Sequence, residues 1–335
     1  MKKIATILFL ILFASPLLNA QDKRAQTSMK FLSVSPSARA SAMSDAVTSV
    51  NMGAYSPFYN PATLALVEDK VSVTAGVVQW IADISHNSAS IIYKPGNSNI
   101  GVFGLNATSV DYGDIIATVR DNDPNNPLGY LDNGFVNPTA ITIGLSYANA
   151  ITDKFSVGAN FKYAYEDLTS APVNTDGNGG YITESYSAGV GVLDFGAFYK
   201  TGFKSLNFAF ALRNFSQEVS FAEEEQELPL TFKIGISMNV LDLADIDPET
   251  HSLLVAIDTN RPRDYDEQIF IGTEYTFMNR FILRGGYGFP KDEEKLSFGF
   301  GVIQPLKKVN LSIDYSYTQF GVFGEVNRFS AQIGF

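Results

Sequence analysis

Hydrophobic and polar positions alternate with period two along most of the chain after residue 70. In FSVGANFKYAYE (155–166), aromatic and aliphatic side chains occupy every second position, and mostly Ser, Gly, Asn, Lys and Glu occupy the others. The segments TFKIGISMNV (231–240) and VNLSIDYSYT (309–318) repeat the pattern. Because successive side chains of a strand point to opposite faces, this alternation predicts β-strands with one apolar and one polar face.

Fourteen segments of this kind follow one another. They begin near residues 71, 86, 99, 138, 154, 184, 203, 229, 251, 267, 279, 294, 307 and 322. Strands of soluble proteins usually have about five or six residues, whereas a strand that crosses a bilayer needs about ten, as many of these segments have. Long connections alternate with tight turns, as in outer-membrane barrels. The pattern predicts an all-β transmembrane fold, an antiparallel outer-membrane β-barrel of about 14 strands over residues 70–335, with both chain ends on the periplasmic side.

The last strand ends in an aromatic residue. In NRFSAQIGF (327–335), Phe329, Ile333 and Phe335 share one face. Many barrels that the outer-membrane assembly machinery inserts end in such an amphipathic strand with a terminal Phe. We therefore expect that machinery, and the lipid and lipopolysaccharide of the outer membrane, to be partners of the chain. An edge strand that happens to stop at Phe is the alternative.

The first twenty residues are expected to be removed. Lys2 and Lys3 precede the apolar run IATILFLILFASPLL, and LNA precedes Gln21, a pattern typical of a cleaved signal peptide over residues 1–20. A retained membrane anchor is the alternative, although the run is short for a span. The expected location is the outer membrane, reached by export.

Composition narrows the function classes. The chain has no cysteine, which excludes a disulfide framework and Cys-ligated metals. Its formal net charge of −11 argues against binding to nucleic acid. Beyond the leader, no stretch approaches the ~18 apolar residues of a transmembrane helix. We expect no nucleic-acid partner and no cofactor.

Hydrophobic and polar positions do not alternate in residues 21–69. We predict that this segment forms a small helical hatch, a plug inside the barrel. Ser35 is the expected N-cap of a first helix, with Pro36 at the first helical position. Asn60 and Pro61 repeat this arrangement in YNPATLAL (59–66). About fifty residues are too few to bury a core of their own, so we expect them to pack inside the barrel lumen.

The hatch carries a motif that resembles known families. An N-terminal hatch with an Asn-Pro-Ala sequence before fourteen strands resembles the FadL family of outer-membrane transport proteins for hydrophobic molecules. Two stretches of the hatch, residues 31–43 and 59–62, are similar to stretches of the PorV/PorQ family. Members of that family usually carry a glycine where this chain has Ser44. The matching positions are Phe31, Leu32, Ser37, Ala38, Arg39, Ala40, Ala42, Met43, Tyr59, Asn60, Pro61 and Ala62.

The resemblance implies an accessory component of type IX protein secretion in Bacteroidota, which binds the translocon or exported cargo proteins. It leaves open a FadL-like transporter of hydrophobic small molecules across the outer membrane. In GVFGLNATSVDYGDII (101–116), polar residues and Gly113 are expected to interrupt the third strand, which would suit a lateral opening and cargo docking equally. The hatch disfavours a general porin.

Residues that could support catalysis or bind metal are few. His86 and His251 fall at opposite ends of the predicted barrel, so they cannot share a metal site or a catalytic site. We therefore expect that the protein is not an enzyme. The acidic stretch DNDPNN (121–126) lacks the frame of an EF-hand. A solvated loop is our interpretation of this stretch, with calcium binding as the alternative.

Charged residues on the Gly/Ser faces are the remaining candidates. They are expected to point inward, because Arg or Lys facing lipid would cost roughly 2–4 kcal/mol at the midplane. They suit either a salt-bridge lattice that seats the hatch or a selectivity lining for a polar solute. The predicted lumen charges are Lys162, Glu166, Arg213, Lys233, Asp258, Arg284, Asp314 and Arg328, and Arg39 and Asp45 of the hatch are expected to contact the barrel wall.

Overall fold

The computed structural model describes residues 27–96, 100–121, 123–175, 181–244, 246–247, 249–291, 294–306 and 309–335. Its strands are β1 (Val71–Gln79), β2 (Ser85–Tyr93), β3 (Val102–Asp111), β4 (Ile115–Arg120), β5 (Tyr130–Val136), β6 (Thr139–Ala150), β7 (Phe155–Thr175), β8 (Tyr181–Lys200), β9 (Asn207–Ser216), β10 (Val219–Ser220), β11 (Glu225–Gln226), β12 (Thr231–Asn239), β13 (His251–Pro262), β14 (Gln268–Phe277), β15 (Phe281–Phe289), β16 (Leu296–Leu306), β17 (Val309–Gln319) and β18 (Glu325–Gly334). Fourteen of them pair antiparallel in one closed barrel, in the order β1-β18-β17-β16-β15-β14-β13-β12-β9-β8-β7-β6-β3-β2.

The predicted barrel is confirmed. The largest difference in the start of a strand is at β9, which the alternation predicts near 203 and which begins at Asn207. Along each strand the outward side chains are apolar and exposed, such as Leu145 (64%) and Phe161 (53%). The inward side chains are polar and buried, such as Asn106 and Asn160. Lipid on one side and the hatch on the other therefore account for the period-two pattern.

The long connections contain further strands that the sequence predicts as loops. β4 and β5 form a separate hairpin between β3 and β6, and β10 and β11 form another between β9 and β12. β7 and β8 continue as paired strands of 21 and 20 residues, with irregular register at two places near their outer ends. Strands outside the membrane do not contact lipid, so their sequences need not alternate between apolar and polar residues. The alternation therefore does not predict these strands.

The expected interruption of the third strand is wrong. β3 pairs with β2 from Phe103 to Asp111 and with β6 from Val102 to Asp111, and neither register has a break. Gly113 lies beyond the end of β3, in the connection to β4, with φ of +75°. The barrel wall is continuous here and has no lateral opening at this strand.

The hatch contains the short helix α1 (Ala38–Ala42) and the 3-10 turns Lys30–Ser33, Gly53–Phe58 and Pro61–Leu66. Further 3-10 turns lie in connections between strands, at Ile81–Asp83, Val240–Leu243 and Gly321–Phe323. Among the described residues, no helix is both long enough and apolar enough to cross a bilayer. The predicted signal peptide lies outside the described residues.

The hatch crosses the lumen from the extracellular end to the periplasmic end. The end with the longer connections is the extracellular one in outer-membrane barrels. There the amide of Ser28 donates to the carbonyl oxygen of Glu227 at 2.9 Å. At the other end, Lys94 Nζ donates to the carbonyl oxygen of Val67 at 2.6 Å. The first described residues therefore lie at the extracellular end, and the N-terminus that we expect on the periplasmic side lies outside the described residues.

Candidate functional site

Ser35 and Ser37 hold the first half of the hatch. Ser37 caps α1, and its Oγ accepts from the amide of Ala40 at 3.4 Å, so the prediction of Ser35 as the cap is wrong. Ser35 Oγ instead donates to Asp45 Oδ1 at 2.6 Å and lies 2.7 Å from the hydroxyl of Tyr59. Because the hydroxyl proton of Ser35 is donated to Asp45, the hydroxyl of Tyr59 donates to Ser35, and it accepts from the amide of Ser37 at 3.0 Å. These contacts join the two stretches of the hatch motif.

The helix α1 packs against glycines of the barrel wall. A β-carbon added at Gly286 would lie 2.3 Å from the carbonyl carbon of Met43, and one added at Gly299 would lie 2.5 Å from the Cβ of Ala42. Every alanine of α1 is fully buried. The contact therefore requires small side chains on both sides, which explains the alanine-rich helix opposite glycines of β15 and β16.

Asn60 connects three parts of the structure. Its Oδ1 accepts from the amide of Ala62 at 3.0 Å, while its Nδ2 donates to the carbonyl oxygens of Thr48 at 2.8 Å and Ala197 at 3.4 Å. Pro61 begins the 3-10 turn, a position where a missing N–H breaks no hydrogen bond of the turn. Asn60 caps this turn through its side chain, so the predicted cap is confirmed. The side chain of Asn60 thereby links the turn, the preceding hatch segment and strand β8.

Arg39 joins the hatch to the wall through a chain of four charges. Its Nε and Nη2 donate to Glu274 Oε2 and Oε1, each at 2.7 Å. Glu274 also accepts from Arg284 Nε at 2.6 Å, and Arg284 Nη1 donates to Asp314 Oδ1 at 2.7 Å. A two-pronged bond between arginine and carboxylate is strong and directional. Two of the predicted lumen charges, Arg284 and Asp314, therefore lie in a lattice that contacts the hatch.

A second set of lumen charges bonds within the wall or to the hatch backbone. Lys162 Nζ lies 2.8 Å from Asp194 Oδ2. Asp258 Oδ2 accepts from the amide of Thr48 at 2.9 Å and from its hydroxyl at 2.6 Å. Glu166 accepts from the hydroxyl of Tyr112 at 2.5 Å. These contacts place the predicted charges on the lumen side of the wall.

Two lumen carboxylates, Glu274 and Asp194, are missing from the residues predicted from the sequence. Both bind a predicted cation, so they complete the lattice. Both residues occupy inward positions in the alternating pattern of β14 and β8, so the sequence pattern already indicates that they face the lumen. Gly272 and Gly196, each two residues away on the same strand, face the hatch directly.

A cavity of about 940 Å³ lies above the hatch at the extracellular end of the lumen. The hatch residues Ser35, Asp45 and Tyr59 form its floor. Its apolar lining includes Met29, Ile84, Tyr112, Leu168 and Phe221. In the part of the chain that the structure describes, fully buried hatch residues such as Ala54 and Leu64 separate this cavity from the periplasmic end.

Three predicted lumen charges, Arg213, Lys233 and Arg328, line this cavity instead of joining the lattice. Their hydrogen-bond acceptors are neutral oxygens of the hatch and the wall, at 3.1 to 3.5 Å. Each of the three also lies over an aromatic ring, at 5.4 to 5.9 Å from its centroid. Both signs of charge therefore line the cavity, with these three cations beside the carboxylate of Asp45.

The C-terminal residues lie at the seam where the barrel closes. Phe329 and Phe335 point outward and are exposed, and Ile333 is half-buried beside them. The amide of Phe335 donates to the carbonyl oxygen of Val71 at 2.8 Å. The last strand therefore presents the predicted aromatic face to lipid.

The two histidines occupy separate environments. His86 lies near the extracellular end of β2, with its ring 6.1 Å from that of Trp80. His251 begins β13 at the periplasmic end, where its Nδ1 lies 2.7 Å from the hydroxyl of Tyr275. Within the described ranges, no three His, Cys, Asp or Glu side chains are grouped so that they could hold a metal ion.

The closed barrel, the hatch inside it and the cavity above the hatch define a fourteen-stranded antiparallel β-barrel that is filled by an N-terminal hatch. The toluene transporters TbuX of Ralstonia pickettii and TodX of Pseudomonas putida have similar folds, with TM-scores of 0.57 and 0.56 at 15% and 14% identity. Each alignment covers 88% of this chain and 96% of the other. A FadL homologue from Pseudomonas aeruginosa gives a TM-score of 0.51 at 12% identity, over 90% of this chain and 98% of that one. Identities this low show the fold alone.

The family follows from the sequence itself. The model of the family described as type IX secretion system protein PorV matches residues 18–245, more than half of the chain. The chain belongs to the PorV family and lies in the outer membrane, which confirms the predicted resemblance. The search of curated proteins found no significant match.

Proposed function

We propose that this chain is an accessory component of type IX secretion, which binds the translocon or exported cargo through protein contacts at its extracellular end. Membership of the PorV family supports the pathway. The observation that carries the proposal is an exposed apolar surface on the hairpin of β4 and β5, beyond the barrel.

This hairpin presents large apolar side chains to its surroundings. Ile116 and Phe135 face each other across the two strands, with 62% and 67% of their surfaces exposed. The hairpin is a separate sheet that starts beyond the ends of β3 and β6, so these residues do not belong to the lipid-facing wall. Exposed apolar patches mark contact sites for other proteins, and an isolated two-stranded hairpin gains stability from such a contact.

The packing of the lumen agrees with a function by contact. Between the periplasmic end and the cavity at the extracellular end, the hatch fills the barrel with buried residues, among them Ala38, Met43 and Leu64. A docking component needs no open path through the barrel. Both the exposed hairpin and the closed lumen therefore favour protein binding over passage of a solute.

The proposal is tested by copurification from the native outer membrane. Tagged chain is extracted in mild detergent, and bound proteins are identified by mass spectrometry. We expect a large outer-membrane protein or exported proteins with a shared C-terminal domain. The double variant Ile116→Ser/Phe135→Ser should lose them.

The matched control changes another exposed apolar pair. Val322 and Phe323, in the connection between β17 and β18, are 86% and 60% exposed. The variant Val322→Ser/Phe323→Ser should keep the partner. Equal retention by both double variants would contradict the proposed role of the hairpin.

The alternative function is transport of hydrophobic small molecules. It is favoured by the cavity of about 940 Å³, since ligand pockets are concave and mostly apolar with few polar groups. The fold of this chain is also similar to the folds of two toluene transporters. Mass spectrometry of the same extract distinguishes the two functions. A stoichiometric hydrophobic ligand without any protein partner would favour transport and contradict secretion.

A further inference from the structure

The hairpin of β4 and β5 contains an Asn-Gly sequence in a β-bulge. Asn133 and Gly134 lie in β5. The register of the hairpin shifts at this point, so that these two residues lie opposite the single residue Ala117 of β4. Such an insertion leaves the additional residue without a partner in the ladder. A second Asn-Gly sequence, at 178–179, lies outside the described residues.

The bulge leaves this pair of residues free to change conformation. Both residues are exposed. Gly134 has φ of +81°, and a β-carbon added there would meet no atom within 4 Å. The side chain of Asn133 makes no hydrogen bond within the described ranges. Because glycine tolerates many backbone conformations, the main-chain nitrogen of Gly134 is able to approach the amide carbon of Asn133.

The other described asparagines between β3 and β6 lack this combination. Asn126 and Asn137 each precede a proline, whose main-chain nitrogen carries no hydrogen. Their side chains also donate to carboxylates. Asn125 precedes another asparagine, and its Nδ2 donates to Asp123 Oδ1 at 3.0 Å. Asn133 is therefore the amide of this connection that is free to react, and Asn125 is its natural control.

An asparagine in this setting loses its side-chain amide without a catalyst. The main-chain nitrogen of Gly134 attacks Cγ of Asn133 and gives up its proton, and ammonia leaves. Water then opens the resulting five-membered succinimide at either of its two carbonyl carbons. The products are aspartate, with the original main chain, and isoaspartate, whose main chain contains one additional carbon atom. In sum, one water is consumed and one ammonia is released, with no oxidation or reduction.

Both products change the hairpin next to its exposed apolar pair. Phe135, two residues after Asn133, faces Ile116 across the strands. A carboxylate at position 133 would lose hydration when a partner covers this pair, which costs more free energy than desolvation of the neutral amide. In isoaspartate, the additional carbon atom of the main chain also shifts Phe135 relative to Ile116. Either product therefore weakens binding of a partner at this surface.

We propose that Asn133 is a site of spontaneous deamidation and that its conversion inactivates the docking surface formed by Ile116 and Phe135. The inactivation rests on the proposed function, because that function assigns partner binding to these two residues. The modification itself rests on the bulge alone. It gives the docking surface a limited lifetime, since newly made protein binds its partner and aged protein loses it.

Peptide mapping tests the modification. The purified full-length protein is incubated in detergent at mildly alkaline pH, and a parallel sample is unfolded in guanidinium chloride. Mass spectrometry measures replacement of the amide by a hydroxyl at positions 133 and 125, and isoaspartyl methyltransferase labels isoaspartate. We expect Asn133 to convert in the folded protein within about threefold of its rate in denaturant, since the bulge needs no prior opening. A folded protein that keeps Asn133 while the unfolded chain converts would overturn the inference.

Matched variants test the inactivation by recovery of the partner from a detergent extract of cells that lack the chain. Asn133→Asp reproduces one product and should recover about tenfold less partner than fresh wild-type protein. Gln319→Glu adds the same charge at the exposed extracellular end of β17 and should recover the wild-type amount. Asn133→Gln, whose longer side chain closes a ring far less readily, should keep the partner after the incubation that inactivates wild-type protein. Heat-modified migration on gels verifies that each variant is a folded barrel.

The outcomes separate the modification, the inactivation and the proposed function. Conversion of Asn133 with full recovery of the partner by aged protein would overturn the inactivation. Equal losses with Asn133→Asp and Gln319→Glu would also contradict it, because any added charge would then have the same effect. Absence of a partner from fresh wild-type protein would reject the proposed function and the inactivation together, and the peptide map alone would then decide whether Asn133 is a modification site.

Discussion

At the scale of single residues, Asn60 links two segments of the hatch to the barrel wall. One buried amide satisfies the amide of Ala62 and the carbonyl oxygens of Thr48 and Ala197. Replacement of Asn60 by Ala removes a cap and leaves buried backbone groups without partners. We expect Asn60→Ala to lower the free energy of unfolding by about 2–4 kcal/mol.

Urea titration of the protein in lipid vesicles measures this loss, and limited proteolysis reports release of the hatch. The exposed Asn310→Ala at the periplasmic end of β17 should change stability by less than about 0.5 kcal/mol. The barrel should still insert in the Asn60 variant. A failure of the variant to reach the outer membrane would show that the motif acts in assembly instead.

Ser44 occupies a conformation that favours glycine. Its φ is 50°, in the left-handed region, and its buried Oγ has no hydrogen-bond partner among the described residues. Ser44→Gly should relieve both costs and raise the free energy of unfolding by about 1 kcal/mol. Ser41→Gly, inside α1, should instead destabilise by about 1 kcal/mol. A loss of stability with Ser44→Gly in the same urea titration would contradict the strain argument.

Some residue roles are predictable from local sequence and others are not. Asn60 and Pro61 are neighbours of the turn that they begin, so their roles are readable in the motif. Ser35 and Ser37 both suit a cap by composition, and only packing decides between them. Arg39 and Glu274 are 235 residues apart, so their pairing depends on a register that alternation alone does not define.

At the scale of elements, the seat of α1 depends on the wall glycines. Gly286 admits the backbone of Met43, since a β-carbon at this position would lie only 2.3 Å from the carbonyl carbon. Gly286→Ala should displace α1 and destabilise the protein by about 1–3 kcal/mol. Unfolding in urea gives the free energy, and protease sensitivity of the hatch gives the displacement.

The neighbouring glycine is the control for this contact. A β-carbon at Gly285 would meet its nearest atom, Thr273 Oγ1, at 3.8 Å, an ordinary contact. Gly285→Ala should therefore change stability by less than about 0.5 kcal/mol. Equal effects of the two substitutions would mean that α1 does not rest on Gly286.

The elements that alternation predicts are those with lipid on one face. All fourteen barrel strands belong to this group, so the fold class is readable from the sequence. β4, β5, β10 and β11 do not face lipid in the wall, and the sequence predicts loops there. The hairpin that carries the proposed docking surface is therefore visible only in the structure.

At the scale of the whole molecule, the hatch should keep the barrel closed. The intact protein should show no steady conductance in planar lipid bilayers, because the hatch packs across the lumen. Deletion of residues 27–66 removes this packing and should produce a large, stable conductance, since wide barrels hold an aqueous channel. A steady conductance of the intact protein similar to that of the deletion variant would contradict a closed hatch.

The central claim is that the chain acts by protein contact at the hairpin of β4 and β5. The most direct measurement places a photoreactive amino acid at Ile116 in living cells, with Val322 as the control position, and identifies the adducts by mass spectrometry. The account predicts a discrete protein adduct of a secretion component or an exported protein at position 116 and none at position 322. Lipid adducts alone at both positions would contradict it.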